Sequence, residues 1–560
     1  MLARHRRLAV ALALLLSAAA AHAAPATPPR LVVLLVVDQM RADYIARYSH
    51  QWTGGLRRLV DGGAWFSRAA YPYLTTVTCV GHATISTGAF PRTHGIVGNS
   101  WFDRDLGRSV GCTWDPSLRT ISYAASVEGG QGPSHLRSAT LADELRAQSP
   151  VPGRVVTMSI KERAAIGLAG QRGDAVTWYN GAAGGFVTSS AYTSVPVPYV
   201  AAFAKANPVS ADLGKVWTRS LPADQYLFAD AGTGEKPAAY WTAEFPHPLK
   251  VRGDAPDAQF FEAWESSPFS DDYLGRLAIA SVDALKLGQG GGTDFLGVSF
   301  SALDLIGHDF GPASHEVQDT LVRLDRTIGA LVDHLDRTVG ADNYVVALTG
   351  DHGAAPIPEQ VAALGFDAGR LDAGLVRAAA QRALQAALGE APHAVRGQYS
   401  DLILPADALE RLRRDPDAVD EVLRAIRAVP GVAAAFFAEQ LEFQAAAGDR
   451  HARAALMSHY PGRSGDVLVV PQPYWFFVTA DGTAQPGSAT THGTMYGYDQ
   501  QVPIVFFGKG IKPGEYVRAV TPADIAPTLA HLCGVTLADA DGEVLTEALA
   551  AAPAAAGRGR

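Results

Sequence analysis

The chain has 560 residues, 48% hydrophobic and 18% charged, with a formal net charge of -9. That is the composition of a globular protein, and its mild acidity speaks against a nucleic-acid binder, which carries a basic patch or stripe. Phosphate-bearing small molecules stay open, because a local site can be positive inside an acidic protein. Cys79, Cys112 and Cys533 are the three cysteines, enough for one bridge but not for a disulfide framework, and the sequence does not say which pair.

In chain order, Arg4, Arg6 and Arg7 precede an apolar run from Leu8 to Ala20, and Ala21-His22-Ala23 fits a small-x-small cleavage site. The pattern is that of a secretory leader. It predicts export, periplasmic or secreted, with cleavage after Ala23. No later run of about 18 apolar residues predicts a span, and no cysteine near the site offers a lipid anchor. The expectation is an unanchored monomer.

Leu31–Val37 is a near-continuous apolar run ending at Asp38. Similar runs are Val155–Ile160 before Lys161, Phe295–Phe300 before 301–304, Tyr344–Leu348 before 349–352, and Val502–Phe507 before Gly508. Such runs predict strands buried on both faces, as in a mostly parallel sheet. From Ser314, a plausible N-cap, Val317, Leu321, Leu324, Ile328, Leu331 and Leu335 recur at helical spacing. The alternation predicts a doubly wound α/β fold flanked by helices. Residues 170–290, rich in Gly, Pro and aromatics, and 355–465, with Ala-rich helices at 371–388 and 417–429, read as insertions capping the sheet. The tail 550–560 reads as disordered.

Ligands of open α/β sheets sit at the carboxyl ends of strands. Asp38, Asp304, His308, Asp351, His352 and His492 all follow or lie near the apolar runs. Three aspartates and three histidines form a mixed oxygen and nitrogen set that suits zinc better than magnesium or calcium. Each alone reads as a turn former, a helix cap or a surface histidine; the combination of GDHG after one such run, DLIGHDFGP after another and THG near a third carries the signal.

Asp38 in VVDQM, the stretch TTVTCVGHATISTG at 75–88, HGIVGN at 94–99, ALDLIGHDFGP at 302–312, LTGDHG at 348–353 and THGTMYGYDQQVPIVFFG at 491–508 together resemble the alkaline phosphatase superfamily. The resemblance runs from about residue 30 to 540 and is strongest to bacterial alkaline phosphatases with a threonine nucleophile and a Lys-x-Arg phosphate site. It implies two Zn2+ per chain. Asp304, His308 and His492 would hold one; Asp38, Asp351, His352 and Thr78 would hold the other. Thr78 would be the nucleophile, and Asn99, Lys161 and Arg163 would bind phosphate.

The resemblance also explains an uncharged segment that needs charge. Residues 71–88 hold five threonines and no charged residue, and a threonine hydroxyl needs a base or a metal to attack. Distant carboxylates and imidazoles would bring the metals to it. Thr75 and Thr76 are equivalent to Thr78 by local sequence; the resemblance prefers Thr78. Cys79 lacks the C-x-P-x-R context of a sulfatase, since Val80, Gly81, His82 and Ala83 follow it, and reads as a small buried residue.

Substrate class turns on Lys161 and Arg163. If the strand from Val155 continues, positions two apart share a face, and both cations reach one ligand. A monoester dianion offers such a pair more unsubstituted oxygen than a diester does. The expectation is an exported zinc-dependent phosphomonoesterase acting on small phosphate esters through a phosphothreonine intermediate. The alternatives are a phosphodiesterase or nucleotide pyrophosphatase on the same scaffold, favoured by an aromatic pocket in 170–290, and a noncatalytic zinc-binding protein.

Overall fold

The structure is a computed structural model that describes residues 27–237, 240–253, 255–389, 395–478 and 488–550. The expected leader, residues 1–23, and residues 551–560 of the expected tail lie outside the described residues. No described helix is long and apolar enough to cross a membrane.

A ten-stranded sheet organises the chain: β1 (Leu31–Val37), β2 (Ala64–Ala70), β3 (Thr120–Ser122), β4 (Val155–Ser159), β5 (Ala175–Asn180), β6 (Gly185–Ser189), β7 (Asp294–Phe300), β8 (Tyr344–Thr349), β9 (Gln501–Gly508) and β10 (Gly514–Tyr516). Their spatial order is β10-β2-β9-β8-β1-β7-β4-β5-β6-β3. The central five, β8 to β5, run parallel. Outside them β9 is antiparallel to both neighbours, and β6 and β3 also pair antiparallel. The sheet is therefore mixed, parallel at its centre. A tight connection such as that from β5 to β6 permits only an antiparallel pair.

β1 shows why its sequence is apolar throughout. Leu31, Val33, Leu35 and Val37 enter one core while Val32, Leu34 and Val36 enter the other, as the two-residue period of a strand requires. Each such side chain taken from water stabilises the fold by roughly 1.5–3 kcal/mol. On one face lie α3 (Pro268–Leu285) and α5 (His315–Thr338). The stripe from Val317 to Leu335 enters the first core intact, and Ser314 caps α5 by accepting the Val317 N–H.

Two expected insertions need redrawing. Residues 175–189 form β5 and β6 of the main sheet, and α3 packs in its core. Their short, glycine-flanked strands lack a periodic run, which disguised them as part of an addition. Between them, Trp217, Trp241 and Trp264 are buried in the same core. The second addition is a lobe with its own core. It holds α6 (Ala373–Leu388), α7 (Pro416–Arg427) and a four-stranded sheet from residues 396–398, 401–403, 467–471 and 432–437, and it extends beyond 465 to a strand at Trp475–Val478.

Candidate active site

The parallel strands deliver their side chains to one edge. Asp38 follows β1, its N–H donating to Phe300 O at 2.9 Å; Asp351 and His352 follow β8; and Asp304 and His308 lie one turn apart on α4 (Ala302–Phe310), directly after β7. His492 comes from the segment leading into β9. These residues form two groups, Asp304 with His308 and His492, and Asp38 with Asp351 and His352, each with donor atoms within 4.8 Å of one another.

The histidines are aimed by their far nitrogens. Nδ1–H donates to Thr490 O from His308 (2.9 Å), to Gly353 O from His352 (2.9 Å) and to Thr76 O from His492 (2.8 Å). Each Nε2 then faces a carboxylate: His308 and His492 lie 3.4 and 3.5 Å from Asp304 Oδ1, and His352 lies 3.4 Å from both Asp38 Oδ1 and Asp351 Oδ2. Burial pushes the imidazoles of His352 and His492 down, which keeps them neutral. A neutral ring with its second nitrogen anchored is the usual form of a metal ligand.

The carboxylates call for a cation. Burial, then Asp304 and Asp351, push the Asp38 carboxyl well above its ordinary range. Burial also raises the Asp304 carboxyl, but Lys161 and the neighbouring imidazoles hold it well below that range. The Lys161 ammonium lies 2.7 Å from Asp38 Oδ2 and also contacts Asp304 Oδ2. Asp38 Oδ1 and Asp351 Oδ2 are buried without a hydrogen-bond partner. Orphaned oxygens, inward imidazole nitrogens and a mixed donor set together fit two divalent metals.

Thr78 opens α1 (Thr78–Thr87), with extended Val77 as its N-cap. Its hydroxyl lies 3.4 Å from His352 Nε2. Thr76 instead donates its hydroxyl to Thr494 O, and the Thr75 hydroxyl faces Ser400 at 3.5 Å; neither lines the cavity that Thr78 enters. Gly81 permits the approach of α1 to the second group: a Cβ there would meet Asp351 O at 2.2 Å.

Asn99, Lys161 and Arg163 line that cavity, of about 310 Å³, with Thr78, Asp304 and His492. The two cations do not share a strand face as expected. β4 stops at Ser159, whose Oγ accepts the Lys161 N–H at 3.1 Å, and Lys161 is the N-cap of α2 (Glu162–Ala169). The strand-to-helix turn, not a pleat, brings them together. No described residue of 170–290 lines the cavity; its apolar wall is Phe476, Phe477 and Val478 of the second lobe.

Cys79 is not simply a packed thiol but forms a disulfide with Cys112. Its partner lies 33 residues on, past a hairpin, and no local pattern announces the pairing. Two further residues, to which the sequence reading gave no role, join the site. Gln39, at φ +67°, donates its backbone N–H to Asp351 Oδ1 at 3.1 Å and its amide to Asp304 Oδ1 at 2.7 Å, joining the two groups. His82, one turn after Thr78, donates from Nδ1 to Thr78 O at 2.8 Å with Asp351 Oδ2 at 3.3 Å. The signal for Gln39 was its adjacency to Asp38; for His82 it was the i+4 spacing from Thr78.

Residues 32–499 match the family model of type I phosphodiesterase / nucleotide pyrophosphatase. The chain belongs to this family, within the alkaline phosphatase superfamily. Among curated members, alkaline phosphatase PhoV of Synechococcus elongatus is 32% identical over 93% of each chain. Alkaline phosphatase PafA of Elizabethkingia meningoseptica is 31% identical over 93% of this chain and 94% of its own. The wild-type PafA crystal structure superposes with a TM-score of 0.82 at 29% identity, covering 93% of this chain and 99% of that one. A solved PafA variant is altered at a threonine, an asparagine, a lysine and an arginine, with the same separations as Thr78, Asn99, Lys161 and Arg163. A murine ectonucleotide pyrophosphatase / phosphodiesterase shares the fold at a TM-score of 0.52 and 14% identity.

Proposed function

We propose that the protein is an exported zinc-dependent phosphatase that hydrolyses phosphate monoesters through a phosphothreonine intermediate. The observation that carries this reading is the convergence of Thr78, Asn99, Lys161 and Arg163 on one cavity beside two aspartate–histidine groups. Family members named alkaline phosphatases, aligned over nine-tenths of this chain, support it. Export rests on the leader pattern of residues 1–23.

Asp304, His308 and His492 would hold one zinc, and Asp38, Asp351, His352 and the Thr78 hydroxyl the other. Bound there, the metals would supply Lewis acidity to the phosphoryl oxygens and to the attacking and leaving oxygens. Thr78 Oγ1 attacks phosphorus as the bond to the leaving alcohol breaks on the opposite side. Water then takes the phosphoryl group from Thr78, restoring the hydroxyl and giving inorganic phosphate. Thr78 stands at the N-terminus of α1, where the helix dipole favours the phosphate anion. The Asn99 amide and the Lys161 and Arg163 cations hold nonbridging oxygens, with Arg163 suited to a bidentate grip.

A phosphodiesterase is the second reading. The apolar wall of Phe476, Phe477 and Val478 favours it, because a diester needs a place for a second organic group. The deciding experiment compares kcat/KM of the zinc-loaded protein for p-nitrophenyl phosphate and bis-p-nitrophenyl phosphate. A lead of orders of magnitude for the monoester is expected; a lead for the diester overturns the monoesterase reading.

A further inference from the structure

Tyr399 belongs to the second lobe but lines the catalytic cavity. It opens the two-residue turn between strands 396–398 and 401–403, which pair from Gln398 to Asp401. Its φ is +51°, a conformation such turns normally give to glycine, asparagine or aspartate. Tyrosine there defies the local backbone preference, and strained residues of this kind concentrate at functional sites.

What the tyrosine reaches supplies the reason. A Cβ at Gly98 would meet the Tyr399 ring at 3.6 Å, which sets the ring beside the 98–100 segment, and Tyr399, Asn99 and Arg163 share the cavity wall. The Arg163 guanidinium and the Asn99 and Ser100 side chains offset part of the upward push that burial gives the Tyr399 hydroxyl. Gln398, one residue earlier, donates its amide to Ser100 Oγ, one residue after Asn99. The turn therefore abuts the 98–100 segment at two adjacent residues. Asn99 Oδ1 is already committed, accepting the Cys79 N–H at 2.8 Å. That contact fixes which way the amide points and leaves Nδ2–H2 for the tyrosine oxygen and the cavity. A packed path thus runs from the second lobe through Tyr399 and the 98–100 segment to the residue next to Thr78.

We propose that Tyr399 is a positioning residue of the phosphate site, its hydroxyl orienting the Asn99 amide so that the second N–H meets a nonbridging phosphate oxygen. The inference rests on the phosphate-binding role assigned above to Asn99. The second lobe then acts as part of the site, since one of its turns sets a donor that the main domain supplies. Removing the hydroxyl frees the amide to rotate and weakens phosphate through Asn99 alone.

The test measures binding rather than turnover, so it stands apart from the substrate reading. Inorganic phosphate is titrated calorimetrically into the zinc-loaded full chain as wild type, Tyr399→Phe, Asn99→Ala and the double variant. Tyr399→Phe keeps the ring and the backbone, and its unfolding midpoint is expected to match wild type. It should weaken phosphate roughly tenfold, as loss of a hydrogen bond serving a charged ligand does, and add no loss in the Asn99→Ala background. A change below twofold, or the same factor in both backgrounds, overturns the proposal. A wild type that binds phosphate but hydrolyses no monoester defeats the substrate reading while leaving this cycle to decide the role of Tyr399.

Discussion

Cys79, the residue after Thr78, is covalently tied to Cys112 just beyond the hairpin 100–111, so the first turn of the helix that presents the hydroxyl cannot drift from the segment carrying Asn99. With the cysteines 33 positions apart, the chain-entropy relation gives about 3 to 4 kcal/mol for the bridge. The double variant Cys79→Ser/Cys112→Ser should show that loss in denaturant unfolding, together with a fall in kcat. Unchanged stability would mean the pair is incidental.

Lys161 and Arg163 should together contribute 100-fold to 1000-fold to monoester kcat/KM, about 3 to 4 kcal/mol. The double alanine variant is expected to lose most of that on monoesters and much less on diesters. Lys161 already contacts two buried carboxylates, whereas Arg163 has a longer contact with Glu162, at 3.4 Å, and its Nε is buried without a partner, so Arg163→Ala should take the larger share. A combined loss below tenfold would sink the assignment.

Gly81→Ala places a methyl group into the Asp351 backbone. The clash should cost about 1 to 3 kcal/mol of stability and separate Thr78 from His352, lowering kcat by at least 100-fold, since small misplacements at a reacting centre are expensive. Zinc content by mass spectrometry and kcat on the same preparation would separate lost metal from lost geometry.

The pair His247 and Glu316, 2.8 Å apart and fully buried, predicts the pH dependence of stability. Burial, with Glu235 and Asp230 nearby, pushes the Glu316 carboxyl up to about 9. Burial, with Arg219 adding to it, pushes the His247 imidazole down to about 4. Between the ordinary carboxyl range and about pH 9 the folded state holds a proton that the unfolded chain has released, so stability falls as pH rises there. Between about 6.5 and 4 the unfolded chain takes up a proton that folded His247 refuses, so stability falls as pH drops. Glu316→Gln should flatten the alkaline limb of the unfolding midpoint against pH. An unchanged limb would place that loss elsewhere.

Removing metal with a chelator should abolish turnover and lower the unfolding midpoint, because the buried carboxylates of Asp38, Asp304 and Asp351 then repel one another. Asp304→Asn, which relieves some of that repulsion, should show a smaller fall. Calorimetric refilling is expected to require two equivalents.

Much of the site could be read from sequence because the strands that carry it are buried on both faces. β1, β4, β7 and β8 stand out as near-continuous apolar runs, and most of the site residues the structure gathers come just after them. What escaped was set by other distances along the chain. β5 and β6 are too short to show a period; the Lys161 and Arg163 geometry depends on where β4 stops; the Cys79 bridge and the Tyr399 contact join segments whose encounter no window of sequence encodes. Thr78 was chosen over Thr75 and Thr76 by resemblance, and the structure separates them by what each hydroxyl faces.

The six candidate metal-binding side chains come from positions 38, 304, 308, 351, 352 and 492. A ribosome that has delivered everything up to β8 and the second lobe has still not delivered His492. The group of Asp38, Asp351 and His352 is present in the chain by residue 352, whereas the group of Asp304 and His308 waits for His492, so the complete centre comes late. Fragments that end before His492 lack one of the six side chains, and gain of activity during refolding is expected to report closure of the chain through residue 492.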